Sequence, residues 1–277
     1  MSLKFGIIGT GHMAERMADT VRQMKQVELY AVASRTEEKA KHFAEKYGAT
    51  VHYGSYEALI QDEQVELVYI ATPNHLHYPQ ARACILAEKP VLLEKPFALN
   101  EQQAQALIDL AEMHQVFLCE AMWGRFMPLM YQLKKTLGRY IDNISTSMVR
   151  MNSGVCAQEF INLVYENGAI AGLYSTMLSN TDKQGKIYGT DGYVLVKDIN
   201  NYQSYEVYDS QGNCLEQSER PEQISGLEYE VEACVHAIQA KKLECPQMTH
   251  ADTLFMMRIL DTVRRTWDMK FPQEETV

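Results

Sequence analysis

A short apolar strand that runs into a glycine-rich turn and then a helix constrains this chain more than any other feature. Residues 5–8 (FGII) form the strand, and Gly9 to Ala14 (GTGHMA) form the turn. The turn has the form G-x-G-x-x-A, in which Gly9 permits a tight bend, Gly11 lets the backbone approach a pyrophosphate, and Ala14 lets helix pack on strand. Because the helix N-terminus faces the phosphates, the pattern predicts a dinucleotide-binding unit. The predicted cofactor contacts are Gly9, Thr10, Gly11, His12 and Met13.

The end of the second strand, Val27 to Ala33, indicates which dinucleotide binds. An NAD-selective site would place Asp or Glu here on the ribose 2′-hydroxyl, but this chain has Ser34-Arg35. Arg35 can pair with a 2′-phosphate by charge-assisted hydrogen bonds, and Ser34 can add another. The residues favour NADP(H), with NAD(H) possible. The alternative is that Arg35 only caps a surface loop and adds solubility.

Length and composition limit the class of protein. At 277 residues the chain exceeds a typical single domain, so we expect two, residues 1–122 and residues 123–277. A net charge of -10 and a pI near 5.3 oppose nonspecific binding to nucleic acid or an anionic membrane. No apolar run is long enough to span a bilayer, and Met1 to Gly9 lacks signal-peptide features. We therefore expect a cytoplasmic protein.

Strands and helices alternate through the first half of the chain. After the first two strands, the pattern predicts strands at Val65–Ala71, Val91–Glu94 and Val116–Glu120, and helices at Ala81–Glu88 and Glu101–His114, the second with Asn100 as N-cap. Such alternation is typical of a doubly wound parallel sheet with helices on both faces. The first domain is therefore predicted to be an α/β Rossmann domain.

The second half changes to short strands joined by turn signals. The predicted strands are Asn143–Met151, Glu159–Tyr165, Ala169–Met177, Gly185–Tyr188, Tyr193–Lys197 and Tyr205–Tyr208, with turns at Asn167-Gly168, Asp191-Gly192 and Gly212-Asn213. This pattern predicts one antiparallel meander. Helices at Leu227–Lys241 and Ala251–Asp268, the latter capped by Thr249 or His250, complete an α+β substrate and dimerisation domain.

A lysine ends the apolar run of residues 91–93, within Glu94-Lys95-Pro96. Ligands of open α/β sheets bind outside the carboxyl ends of the strands. Lys95 is therefore placed to polarise a substrate oxygen during hydride transfer, and it is the predicted catalytic residue. The alternative is a surface lysine after an edge strand.

Three motifs together resemble the Gfo/Idh/MocA oxidoreductase family. They are Gly9 to Ala14, Ala71-Thr72-Pro73-Asn74 with His77, and Glu94-Lys95-Pro96, in that family's order and spacing. Residues 93–100, residues 120–126 and the stretch from Gly226 to His250 look most like the branch with dimeric dihydrodiol dehydrogenases and NADP-dependent D-xylose dehydrogenases.

The resemblance implies an oxidoreductase that moves a hydride between a nicotinamide and a carbinol or carbonyl carbon of a sugar, polyol or cyclic diol. It assigns cofactor contacts to Ala71, Thr72, Pro73, Asn74, His77, Glu94, Lys95, Trp123 and Arg125. His77 could instead only begin a helix, and Trp123 and Arg125 could only pack between domains. No metal site is predicted, because His75 and His77 lack a third ligand and the six cysteines are scattered without metal-ligand spacing.

One family segment is absent from this sequence. The family's G-G-x-x-x-D-x-G-x-Y/H segment supplies an Asp and the Tyr or His beside the lysine, but here Leu137 to Asp142 passes directly into a strand. Either the protein has lost a strand and a helix, or an internal segment is missing from the sequence as given. We favour the second explanation, because losing a central helix would expose core. The alternative function is a non-catalytic NADP sensor. The match around Tyr140 is too short to identify this residue as the catalytic tyrosine.

The predicted meander also indicates assembly. One of its faces carries Ile144, Thr146 and Met148, and the other carries Ser145 and Val149. Only one face can cover the terminal helices, so the other must meet solvent or a partner. We expect a homodimer or a dimer of dimers.

Overall fold

The computed structural model describes residues 2–133 and 141–274. The chain divides into two compact units: residues 1–126, 222–258 and 271–277 form the first, and residues 127–221 and 259–270 form the second. The predicted boundary between residues 122 and 123, placed where the alternation of strands and helices ends, stays a prediction. The first unit also contains residues 222–258, because apolar side chains there pack into its core.

Six parallel strands form the sheet of the first unit. They are β1 (Leu3–Ile8), β2 (Val27–Ala33), β3 (Val51–Tyr53), β4 (Leu67–Ile70), β5 (Val91–Glu94) and β6 (Leu118–Ala121). Their spatial order is β3-β2-β1-β4-β5-β6, and every neighbouring pair is parallel. This is the strand order of a dinucleotide-binding sheet. The predicted α/β class is confirmed.

Eight α-helices occur among the described residues. They are α1 (His12–Val21), α2 (Glu37–Tyr47), α3 (Tyr56–Gln61), α4 (His77–Leu86), α5 (Glu101–His114), α6 (Pro128–Leu133), α7 (Glu228–Gln239) and α8 (His250–Thr266). The predicted helix at residues 101–114 is confirmed with its cap, since the Asn100 side chain accepts from the Gln103 N–H at 2.8 Å. Thr249 caps α8, because its Oγ1 accepts from the Asp252 N–H.

Alternate side chains of the parallel strands enter two hydrophobic cores. Ile7, Tyr69 and Leu92 lie in one core with residues of α1, α2 and α7. Their sequence neighbours lie in the other core with residues of α3, α4 and α5. Because both faces of the sheet are covered, its strands are apolar at nearly every position, as the sequence pattern indicated.

Two antiparallel sheets lie in the second unit, so the prediction of one continuous meander is wrong. The first sheet contains β7 (Ile141–Arg150), β8 (Cys156–Tyr165) and β9 (Ile170–Thr176), and the second contains β10 (Gly185–Tyr188), β11 (Gly192–Lys197), β12 (Ser204–Asp209) and β13 (Cys214–Glu219). A hairpin needs a short turn, but residues 177–184 separate β9 from β10. The three predicted turns are present, each with a glycine at positive φ.

Candidate active site

The sheet order gathers the predicted site residues at one edge of the first unit. Gly9, Ser34, Ala71 and Lys95 directly follow β1, β2, β4 and β5, and Trp123 follows β6. These five strands are neighbours in the sheet, and their carboxyl ends point the same way because all are parallel. Residues far apart in sequence therefore share one edge.

The glycine loop has the geometry of a phosphate-binding turn. Gly9 has φ +110°, and a Cβ there would lie 2.6 Å from the Ala71 carbonyl oxygen, so only glycine fits. Gly11 is the N-cap of α1, where no side-chain hydrogen bond caps the helix, and a Cβ on it would meet no atom within 4 Å. The first amides of α1 therefore face an open approach, which fits a dinucleotide diphosphate.

Ser34 joins the glycine loop to the end of β2. Its hydroxyl lies 3.4 Å from that of Thr10, and its N–H donates to the Tyr53 carbonyl. Arg35 follows as an exposed side chain whose charge acts on the Tyr56 hydroxyl at the start of α3. The described end of β2 thus presents a cation and a hydroxyl, with no acid at residue 34 or 35. Whether they hold a 2′-phosphate stays a prediction.

His77 connects the loops that follow β4 and β5. Its Nε2 lies 2.9 Å from the Thr72 carbonyl oxygen, and its Nδ1 lies 2.9 Å from that of Pro96. Burial lowers the pKa of His77, so the neutral ring donates to one of these oxygens at a time. The residue also begins α4, as the alternative interpretation expected. Asn74 lies near it with a buried Oδ1 that has no partner in the described chain, an atom that a bound ligand could satisfy.

Glu94 anchors the backbone that carries Lys95. Its Oε1 accepts a hydrogen bond from the Tyr69 hydroxyl, and its Oε2 accepts from the Lys95 N–H at 3.2 Å. Burial raises the pKa of Glu94, against the opposing effect of the Tyr69 hydrogen bond. The Lys95 side chain itself is exposed. A buried carboxyl group therefore fixes the end of β5, while the ammonium group is free to meet a ligand.

Trp123 and Arg125 have different surroundings. The Arg16 guanidinium lies over the Trp123 ring, 5.2 Å from its centroid, so the indole packs beside the first helix after the glycine loop. Arg125 forms an ion pair with Asp252 at 2.9 Å and donates to the Gln247 carbonyl. These contacts give Arg125 a packing role within the first unit. The predicted cofactor contacts of both residues stay predictions.

Several residues of this edge were not found from the sequence. They are Tyr69, which donates to Glu94, Arg16, which stacks on Trp123, and Gln80, which accepts from the Thr72 hydroxyl at 2.6 Å. Of these three, only Tyr69 could have been found from the sequence, because a tyrosine hydroxyl in an apolar, buried strand needs a hydrogen-bond partner. Tyr140, the possible remnant of a catalytic tyrosine, lies outside the described residues.

A glycine loop after β1, on a sheet of this strand order, defines a dinucleotide-binding fold. The Gfo/Idh/MocA family, described as an oxidoreductase family with an NAD-binding Rossmann fold, matches residues 3–121. Residues 3–121 of this chain are therefore similar to the nucleotide-binding domain of that family. The predicted family, enzyme class and nicotinamide cofactor are confirmed.

Individual relatives extend the similarity along the chain. The scyllo-inositol 2-dehydrogenase (NADP(+)) IolU of Bacillus subtilis is 25% identical, over 99% of each chain. The trans-1,2-dihydrobenzene-1,2-diol dehydrogenase of Mus musculus is 37% identical over 50% of this chain and 42% of its own length. A solved 3-ketoreductase from Actinomadura kijaniata, in complex with TDP-benzene and NADP, superposes with a TM-score of 0.81 at 20% identity, covering 95% of this chain and 97% of that one.

One alignment also contains positions that this sequence lacks. The alignment with the Bacillus subtilis protein runs over 328 positions, whereas this chain has 277 residues, so at least 51 positions, the difference, have no residue here. The alignment with the mouse protein extends over only 139 residues. Separately, none of the helices in the described residues has the length and apolar character needed to cross a membrane.

Proposed function

We propose that this oxidoreductase is an NADP(H)-dependent dehydrogenase or reductase of a sugar, polyol or cyclic diol. The observation that carries the proposal is the exposed Lys95 at the same sheet edge as the Gly9–Gly11 loop, two strands away. The relatives named for inositol and dihydrodiol substrates support the substrate class.

The residues of the sheet edge supply the chemistry around the cofactor. A nicotinamide, when bound, exchanges a hydride with a carbinol or carbonyl carbon. The ammonium group of Lys95 would stabilise the negative charge that develops on the substrate oxygen and assist transfer of its proton. Glu94 fixes the lysine backbone, and His77 holds the two loops around it.

The test of the catalytic proposal is a dehydrogenase panel with NADP and NAD against pentoses, hexoses, inositols and aromatic dihydrodiols. On the best substrate, Lys95→Ala should lower kcat by at least about 100-fold, the range that acid/base groups contribute. Lys41→Ala, an exposed lysine on α2, is the matched control. Unchanged turnover in Lys95→Ala would show that the mechanism is wrong.

The proposed preference for NADP depends on the end of β2. Arg35→Asp places a carboxylate where a 2′-phosphate would bind, and like charges repel. The variant should lose NADP affinity and retain NAD binding. Equal use of both cofactors by the unmodified enzyme would contradict the preference.

A non-catalytic NADP sensor is the second candidate, motivated by the absent segment, and the relatives do not favour it. The intact mass of the natural protein distinguishes the two. A mass well above 31.7 kDa would show that the natural protein contains the absent segment, which supports the enzyme. A mass of 31.7 kDa without turnover supports the sensor.

We also propose that the protein is cytoplasmic and forms a homodimer or a dimer of dimers. Val149, Phe160, Ile170 and Tyr174 lie on one face of the three-stranded sheet by register, and each is about half exposed or more. It is the predicted face that carries Ser145 and Val149. Exposed apolar side chains on one face support a contact with a second copy. The acidic pI and six free thiols are consistent with a cytoplasmic location.

A further inference from the structure

Three cysteines that are far apart in sequence meet in the core of the first unit. Cys119 lies on β6, Cys234 lies on α7, and Cys245 lies in the segment between α7 and α8. Their Sγ atoms all lie within 4.8 Å of one another, and all three side chains are buried. The sequence spacing concealed this cluster, because the packing of α7 on β6 creates it.

The cluster has the donor chemistry of a soft-metal site. Thiolates bind Zn²⁺ in tetrahedral sites with Zn–S bonds of about 2.3 Å, which puts the sulfurs about 3.8 Å apart. Thiolate is the form that binds metal. Two of the three donors stand on a strand and a helix, which hold them in place.

A buried acid lies beside the cluster. Glu230 precedes Cys234 by one turn of α7, so both side chains lie on the same helix face. Glu230 is fully buried, and neither carboxylate oxygen has a hydrogen-bond partner among the described residues. It interacts electrostatically with Cys119 and Cys245. A buried acid without a partner is costly, and a cation would offset that cost.

We propose that Cys119, Cys234 and Cys245 bind one Zn²⁺ ion as three thiolates, with Glu230 as the fourth ligand. The Glu230 oxygens do not belong to the 4.8 Å group, so binding requires this side chain to change rotamer. The ion would join β6 to α7 and stabilise the packing of the first unit. None of the four proposed ligands is among the residues assigned to hydride transfer.

The test measures metal content by mass spectrometry on protein purified under reducing conditions without chelators, then loaded with Zn²⁺. We expect one Zn²⁺ per chain, reduced to a small fraction in Cys119→Ser, Cys234→Ser and Cys245→Ser. Cys84→Ser is the matched control, because Cys84 is equally buried in the opposite core. Glu230→Gln should weaken Zn²⁺ binding at least about tenfold. Loading that survives Cys234→Ser, or no uptake by the unmodified chain, overturns the proposal.

A second measurement keeps the test independent of variant folding. The unmodified protein loaded with Co²⁺ should show sulfur-to-cobalt charge-transfer bands and the strong visible bands of a tetrahedral site. Zn²⁺ should remove both sets of bands and protect three of the six thiols from alkylation. A weak octahedral spectrum without thiol protection, or binding of Cu⁺ but not Zn²⁺, contradicts the four-coordinate site.

Discussion

Gly9 and Gly11 serve different purposes within one turn. Gly9 is required by the fold, because its positive φ and its closeness to the Ala71 carbonyl exclude a side chain. Gly11 has an extended backbone, φ -85° and ψ -178°, that any residue adopts, and open space in front of it. Its glycine is explained by a ligand that approaches the backbone.

Gly11→Ala should therefore separate cofactor binding from folding. We expect an unchanged melting temperature and NADP affinity weakened about tenfold or more, equivalent to about 1.4 kcal/mol. Calorimetric titration and thermal unfolding measure the two effects. Gly9→Ala is the contrasting variant, which should lower the melting temperature. A Gly11→Ala protein that binds NADP normally would place the diphosphate elsewhere.

Glu120 makes stability depend on pH. Burial raises the pKa of Glu120 from 4.5 to about 7, although the Thr253 hydroxyl donates to it at 3.0 Å. Between these pH values the folded protein holds a proton that the unfolded chain has lost, so this contribution to stability falls as pH rises. Glu120→Gln should therefore gain stability relative to the unmodified protein from pH 4.5 to 7, measured by urea unfolding.

Thr253→Val tests the same assignment from the other partner. Removing the hydroxyl removes an interaction that lowers the pKa of Glu120 in the folded protein, so the upper end of the pH window should move to higher pH. If both variants follow the pH profile of the unmodified protein, Glu120 is not the group responsible.

Among the elements, α5 shows how a local signal determines a helix boundary. The Asn100 side chain accepts from the Gln103 N–H, and the Gln103 side chain accepts from the Leu99 N–H. Asn100→Ala should lower the free energy of unfolding by about 1 kcal/mol, the usual value of an N-cap. Gln102→Ala, exposed on the same helix, is the control and should change stability little. Equal effects of the two substitutions would contradict the capping role.

Elements with a strong local pattern were predicted well, and elements that depend on partners were not. Val27–Ala33, Val91–Glu94 and Glu101–His114 match the structure residue for residue. The polar strand Cys214–Glu219 was missed, because its sequence lacks apolar alternation and it forms only by pairing with β12. The division of the predicted meander into two sheets likewise depends on pairing.

For the whole molecule, the exposed face of the three-stranded sheet predicts the oligomeric state. Light scattering at micromolar concentration should give about twice 31.7 kDa or a larger multiple. The double substitution Phe160→Lys and Ile170→Lys should produce monomers, since charges buried in a contact oppose association. Tyr188→Lys, at an exposed aromatic residue of the other sheet, is the control. A monomeric unmodified protein would contradict the packing argument.

The sequence by itself determined the nucleotide-binding domain, because its signals are local: an apolar strand, glycines at fixed spacing, a helix start and a lysine after a strand. It also predicted which positions from Gly9 to Lys95 lie at one edge of the sheet, since parallel strands bring such positions together. Only the tertiary structure decided which side chains support them, such as Tyr69 under Glu94 and Arg16 on Trp123. It alone brought Cys119, Cys234 and Cys245 together. These contacts join residues from different elements, and no local spacing encodes which faces of those elements will pack.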